Sequence, residues 1–197
     1  MDRMKIINKL LHQGNGLFFA STASQAGLQR CQLSVLVNSG LLDRPSRGVY
    51  TESGGIEDEL FSLQQRAKKL VYSHETALFL QGLSDRTPFR YSITVPASYK
   101  PSTHLKKICK IYYIKSELAD LGKIILPSGM GHDVVVYNRE RTLCDIIRSR
   151  NKIDSQIVPP ALKGYVSRQD KNLNLLYEYA KQFKVFRMLH HYLEVLL

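Results

Sequence analysis

Six side chains between positions 29 and 47 have the chemistry to read a nucleic acid: Gln29, Arg30, Ser34, Asn38, Arg44 and Arg47. Arginine and glutamine form bidentate pairs with guanine and adenine edges, serine and asparagine accept or donate to either, and an apolar side chain such as Val35 suits a thymine methyl. Arg44 and Arg47 bracket Pro45-Ser46 and precede Gly48. Cations on such a turn meet phosphate or the minor groove.

The elements that must position these groups are legible nearby. A stripe of Met4, Ile7, Leu10 and Leu11 predicts a helix over residues 2–12, with Asp2 as its cap and Gly14 and Gly16 as its stop. Residues 17–19 read as extended. Thr22 or Ser24 is expected to cap a helix of about one turn, ended by a glycine turn at Gly27. A second helix is expected over residues 29–39. On a 3.6-residue wheel Leu33, Leu36 and Val37 share its inner face, followed by Leu41 and Leu42, while Cys31, Ser34, Val35 and Asn38 point outward. Residues 41–50 then read as a hairpin closed by the Arg-Pro-Ser-Arg-Gly turn. Helix, glycine turn, helix and basic hairpin are the parts of a winged helix-turn-helix; the bland alternative is a solvated face beside a helical hairpin.

The small, polar stretch at residues 52–55 predicts a boundary between a DNA-binding domain, 1–55, and a larger domain, 56–197. The second domain opens with a helix over residues 56–70, buried through Leu60, Leu63, Ala67 and Leu70. Glu57, Asp58 and Glu59 match its positive end, and Arg66, Lys68 and Lys69 its negative end. A helix over residues 74–80 ends at Gly82. Strands are expected at 91–95, 108–114, 123–126 and 133–137. A helix over 139–150, a break or a helix start near 160 at Pro159-Pro160, and two terminal helices over 173–196 follow. The fold class is α+β, a winged helix-turn-helix followed by a mixed domain with a small sheet and C-terminal helices.

Catalytic patterns are weak by comparison. His74-Glu75 and His132-Asp133 are adjacent acid/base types, but such pairs more often cap or pack. His190-His191 diverge on a helix and make a poor metal pair. Glu57-Asp58-Glu59 diverge too and read as a solvated first turn. No HExxH, phosphate loop or Gly-x-Ser-x-Gly elbow occurs, so neither an enzyme nor a metal or other cofactor is expected. Cys31, Cys109 and Cys144 are scattered, which suits a reducing compartment, and no apolar run has membrane length; the expected location is the cytoplasm.

The net charge of +11 favours a polyanionic partner. Residues 1–55 carry six Lys/Arg and three Asp/Glu, leaving eight of the eleven positive charges to residues 56–197. Lys106, Lys107, Lys110 and Lys115 surround Tyr112 and Tyr113, which fits either a nucleic-acid surface or an edge strand guarded by lysine. Arg139, Arg141, Arg148, Arg150 and Lys152 form a second basic cluster, in which Arg141 and Arg148 share a helical face suited to phosphate contact.

Three sequence blocks resemble the AbiEi family, the antitoxins of bacterial abortive-infection (type IV) toxin–antitoxin systems. They are S-x-A-x-x-A-G at 21–27 with L-x-x-L-V-x-S-G-L-L-x-R-x-x-R-G-V-Y at 33–50, Ser-His-Glu-Thr-Ala at 73–77 running to Gly-Leu-Ser-Asp at 82–85, and Arg-Glu-Arg-Thr-Leu-Cys-Asp at 139–145. The resemblance implies a repressor that binds inverted repeats of double-stranded DNA in its own promoter. It also implies a C-terminal domain that counteracts a nucleotidyltransferase-like toxin without a stable complex. The alternative is a winged-helix protein whose second domain binds its toxin partner directly.

Overall fold

The apolar stripe of the first eleven structured residues folds as expected into α1 (Arg3–Gln13), which buries Ile7 and Leu10. The computed structural model describes residues 3–196, with side chains to Glu194, so the cap expected at Asp2 lies outside the described residues. Two compact units emerge from the chain. The first comprises residues 1–66 together with 127–132, and the second residues 67–126 with 133–197.

In the first unit β1 (Leu17–Phe19), α2 (Ala20–Gln25), α3 (Arg30–Asn38), β2 (Leu42–Ser46) and β3 (Val49–Glu52) follow α1. The strands form an antiparallel sheet in the order β1-β3-β2, with Phe18 opposite Tyr50 and Ser46 opposite Val49. Ile7, Leu10, Phe18, Ala23, Leu28, Leu33, Leu42 and Tyr50 make its core. Leu41, expected inside, is 51% exposed, because Gly40 takes a left-handed turn (φ 72°) that hands the inward position to Leu42. The hairpin turn is Arg47-Gly48. Pro45 sits inside β2, at a register shift on an outer strand where a missing N–H leaves no ladder bond unmade.

Helix α4 (Glu59–Arg66) also belongs to this unit and is shorter than the expected span of 56–70. Its first turn corrects the reading of the three acids. Asp58 is buried, not solvated, and its Oδ1 accepts the Phe61 N–H at 3.0 Å. Glu57 instead accepts the Ser46 hydroxyl at 2.7 Å.

The second unit carries a five-stranded mixed sheet in the order β6-β5-β4-β8-β7, made of β4 (Val71–Tyr72), β5 (Tyr91–Pro96), β6 (Cys109–Ile114), β7 (Lys123–Pro127) and β8 (Asp133–Tyr137). Strand β4 is antiparallel to β5 and parallel to β8, and β5 is parallel to β6. Helices α5 (His74–Leu80), α6 (Thr103–Ile108), α7 (Arg139–Arg148), α8 (Val158–Val166), α9 (Leu173–Gln182) and α10 (Phe186–Leu196) complete it.

Its core joins Leu78 of α5 to Leu143, Ile146 and Ile147 of α7, Leu162 and Tyr165 of α8, Leu176 of α9 and Leu189 of α10. Helix α7 is enclosed on all sides, every residue from Glu140 to Ile147 being buried. Two of its polar members find partners close by: Tyr165 donates to Glu140 at 2.7 Å, and Thr142 donates to the Tyr137 carbonyl at 3.2 Å. The architecture is mixed α+β with small sheets and C-terminal helices.

Candidate functional site

Helix α3 ends up where its periodicity requires. Leu33 is fully buried and anchors it, while Arg30, Cys31, Ser34, Val35 and Asn38 all face solvent, Val35 at 65% exposure. A four-residue turn, 26–29, joins α2 to α3. Gly27 adopts φ 88° there, and its N–H and that of Leu28 donate to the Ser24 and Ala23 carbonyls, closing the end of α2. A β-branched or bulky residue at 27 would be strained.

Thr22 and Ser24 are not caps. Helix α2 starts two residues earlier, at Ala20, after Phe19. The Ala20 N–H is taken up by the Gly48 carbonyl at 2.9 Å, so the hairpin supplies what a side-chain cap would have.

Gln29 is the N-cap of α3. Its backbone N–H donates to the Gln32 side chain at 2.9 Å, and its own side-chain oxygen receives the Cys31 thiol at 3.5 Å. Its amide NH2 stays available. The Ser34 hydroxyl donates back to the Arg30 carbonyl at 3.1 Å and keeps its acceptor lone pairs outward. Arg47 lies exposed on the hairpin turn, whereas Arg44 lies within β2 with its guanidinium 5.8 Å from the Tyr50 ring. Tyr50 stacks on Phe18 at 5.6 Å, which stiffens this strand from beneath. Residues 3–42 contain no Asp or Glu at all. A phosphate approaching α3 therefore meets cations and hydroxyls and no opposing carboxylate from that segment.

In the second unit only some of the expected basic contacts are free to act. Lys106 and Lys107 are exposed on α6. Lys110 is paired with Glu75 at 3.1 Å. Arg141 is a correction: its side chain is wholly buried and cannot reach a phosphate. Helical spacing did put Arg141 and Arg148 on one stripe, but that stripe faces Asp145 and Phe183 inside the unit. Arg148 bonds Asp145 at 3.1 Å and lies 5.4 Å from the Phe183 ring. Tyr112, expected beside Tyr113 on a basic strand, is likewise buried; strand alternation leaves only Tyr113 exposed.

The adjacent His-Glu pair resolves into two separate roles. His74 is fully buried at φ 47°, stacked 3.4 Å from the Tyr112 ring, with Nδ1 2.9 Å from Ser73 Oγ and Nε2 3.0 Å from Ser149 Oγ. Glu75 turns the other way, accepting from Lys110 and, at 2.6 Å, from Ser92. Thr94 donates to Ser73 Oγ at 2.8 Å, so this seam joins α5 to β5 and β6; no sequence signal marks it, because Ser92, Thr94 and Ser149 are unremarkable types far off in sequence. His132 pairs not with its neighbour Asp133 but with Asp58, at 2.9 Å. Among the described residues no group of three or more His, Cys, Asp or Glu is arranged to hold a metal.

Burial, with Arg148, Lys110 and Arg141 adding to it, holds the His74 pKa well below its ordinary 6.5. The unfolded chain therefore binds a proton near pH 6.5 that the fold refuses, so this contribution is intact above that pH and lost as pH falls below it. The thermal stability of the wild type should fall between pH 6.5 and 5 by up to about 1.4 kcal/mol per pH unit, and His74→Gln should flatten that slope. Parallel slopes in the two proteins would refute the assignment.

No family model and no curated protein matches the chain. Among solved structures it is similar to the RV2827C protein from Mycobacterium tuberculosis, with a TM-score of 0.63 and 16% identity over 89% of this chain and 70% of that one. At that identity the likeness carries the fold alone. No helix among the described residues is long and apolar enough to cross a membrane.

Proposed function

We propose that this chain is a DNA-binding transcriptional autorepressor and the antitoxin of a bacterial abortive-infection toxin–antitoxin system, with its first unit acting as a winged helix-turn-helix. The observation that carries the DNA-binding reading is the outward face of α3. Arg30, Ser34, Val35 and Asn38 stand exposed in a segment without acids, beside a hairpin turn that bears Arg47. In this reading α3 enters the major groove, Gln29, Arg30, Ser34 and Asn38 read bases, and Arg44 and Arg47 hold the backbone. Lys106 and Lys107 of the second unit add charge that speeds encounter with the duplex. The antitoxin reading rests on the three sequence blocks that resemble the AbiEi family. The second and third blocks also have a structural account here, since they build the His74 seam and the interior of α7.

The test is binding to the DNA upstream of the chain's own gene, compared with a scrambled duplex. Arg30→Ala should cost about 1–3 kcal/mol on the cognate site and relax discrimination at one base pair. Equal losses on cognate and scrambled DNA would demote Arg30 to a phosphate contact. Absence of any preference in the wild type would end the repressor reading. Gel filtration with the toxin separates the antitoxin readings: two separate species are expected, and a stoichiometric complex would mean direct capture.

A further inference from the structure

The basic charge of the second unit is concentrated in one stretch. Residues 86–115 hold seven Lys or Arg and no Asp or Glu, so seven of the eight net positive charges beyond residue 55 lie there. The fold gathers residues 91–114 at one margin of the five-stranded sheet, as β5, α6 and the outermost strand β6. Arg86 is paired with Asp154 and Lys110 with Glu75, which leaves Lys106, Lys107 and Lys115 among the cations of this margin. Arg90 is structural: its guanidinium donates to the Lys106 and Cys109 carbonyls, both at 2.6 Å, and so closes the C-terminal end of α6. Phe89 precedes this clamped residue directly in the chain.

Phe89 is completely exposed, and Tyr113 on the outer strand is 51% exposed. Lysines along an outer strand are explained by protection against strand pairing. A fully solvated phenylalanine is not, because it exposes apolar surface that edge protection would avoid. Flat rings interleaved with unopposed ammonium groups are the arrangement that binds unpaired nucleotides: each base offers a π-face to stack on a ring, and each phosphate a charge. In a duplex those faces are already stacked on neighbouring bases, so Phe89 and Tyr113 would have nothing to grip.

We infer that the surface formed by residues 86–115 binds single-stranded nucleic acid, with Phe89 and Tyr113 stacking on bases and Lys106, Lys107 and Lys115 neutralising phosphates. This goes beyond the operator reading, since it assigns a second ligand to a different unit. The probe is a fluorescent oligothymidylate of about 15 nucleotides, within the span that such surfaces cover, set against a random-sequence duplex of equal length and the full-length protein. The wild type should bind the single strand about tenfold more tightly. Phe89→Ala and Tyr113→Ala should each weaken that binding about tenfold, the size of a lost base–aromatic stack, while leaving the duplex unaffected. Lys106→Glu with Lys107→Glu should lower the salt slope on the single strand by about 1.4.

Phe89 makes no packing contact that its loss would disturb, so Phe89→Ala folds and reports on the ligand alone. Equal or tighter duplex binding, or indifference to both ring substitutions, would overturn the assignment. The operator reading fails separately: Arg30→Ala should leave oligothymidylate binding intact, and Phe89→Ala should leave operator binding intact.

Discussion

Replacing Arg141 with alanine should destabilise the second unit by about 3–5 kcal/mol, the cost of stranding a buried charge. Arg141 is an enclosed guanidinium whose surroundings are built around it. Its Nε donates to Asp145 Oδ2 at 2.9 Å, and Nη1 donates to the Leu118 and Leu121 carbonyls at 2.9 and 3.1 Å. The rings of Tyr137 and Phe183 sandwich it at 4.2 and 4.0 Å. Gly122, at φ 74°, passes so close that a Cβ there would lie 2.9 Å from the Arg141 Cβ. Alanine leaves Arg148 as the one remaining ion-pair partner of Asp145, whose carboxyl is fully buried and already pushed up by desolvation, and it leaves two carbonyls without a donor.

The double variant Arg141→Met, Asp145→Leu removes both charges and keeps the volume, so it should recover most of the loss. Urea unfolding followed by tyrosine emission, which no tryptophan obscures, measures both. A cost below about 1 kcal/mol for Arg141→Ala would show that the pair contributes nothing beyond its packing.

Asp58→Ala should cost the first unit about 3 kcal/mol, through one lost helix cap and two lost bonds to a buried carboxylate. Asp58 is 2% exposed; Oδ1 caps α4 through the Phe61 N–H at 3.0 Å, and Oδ2 meets the Ser128 hydroxyl and His132 Nδ1. His132 in turn stacks on Phe61 at 4.3 Å and reaches the Gly14 carbonyl with Nε2 at 3.0 Å. One side chain therefore ties α4, the turn after α1 and residues 127–132 into a single unit. Asp58→Asn keeps an oxygen for the cap but loses the charge, so roughly half the cost should remain. Amide exchange provides the local readout. Protection at Phe61 should fall in Asp58→Ala and survive in Asp58→Asn; unchanged protection in both would remove Asp58 from the account.

Most elements were legible because their signals are local. The stripe Leu33, Leu36, Val37 located α3 and its outer face, and strand alternation located β5, β7 and β8 within a residue or so. Two elements were not foreseen. Strand β4 has two residues, too few for any periodicity, and exists because Tyr72 pairs with both Ile93 and Val136. Helix α6 hides in a lysine-rich run whose only buried residue is Leu105, and it is started by Ser102, whose hydroxyl accepts the Leu105 N–H at 3.2 Å.

The candidate base-reading face was readable for the same reason as α3 itself: a solvent-facing residue needs no partner, so its identity and its helical phase are enough to describe it. Charge is different, because a charged residue says nothing about whether it is solvated or paired. The sequence by itself determined the order of most elements, the acid-free face of α3 and the concentration of cations between residues 86 and 115. Only the tertiary structure decided that Arg141 and Asp58 are interior. It alone brought His132 to Asp58 and His74 to Ser149 across more than seventy residues. Those pairings depend on where the chain returns after long excursions, and no local period encodes that return.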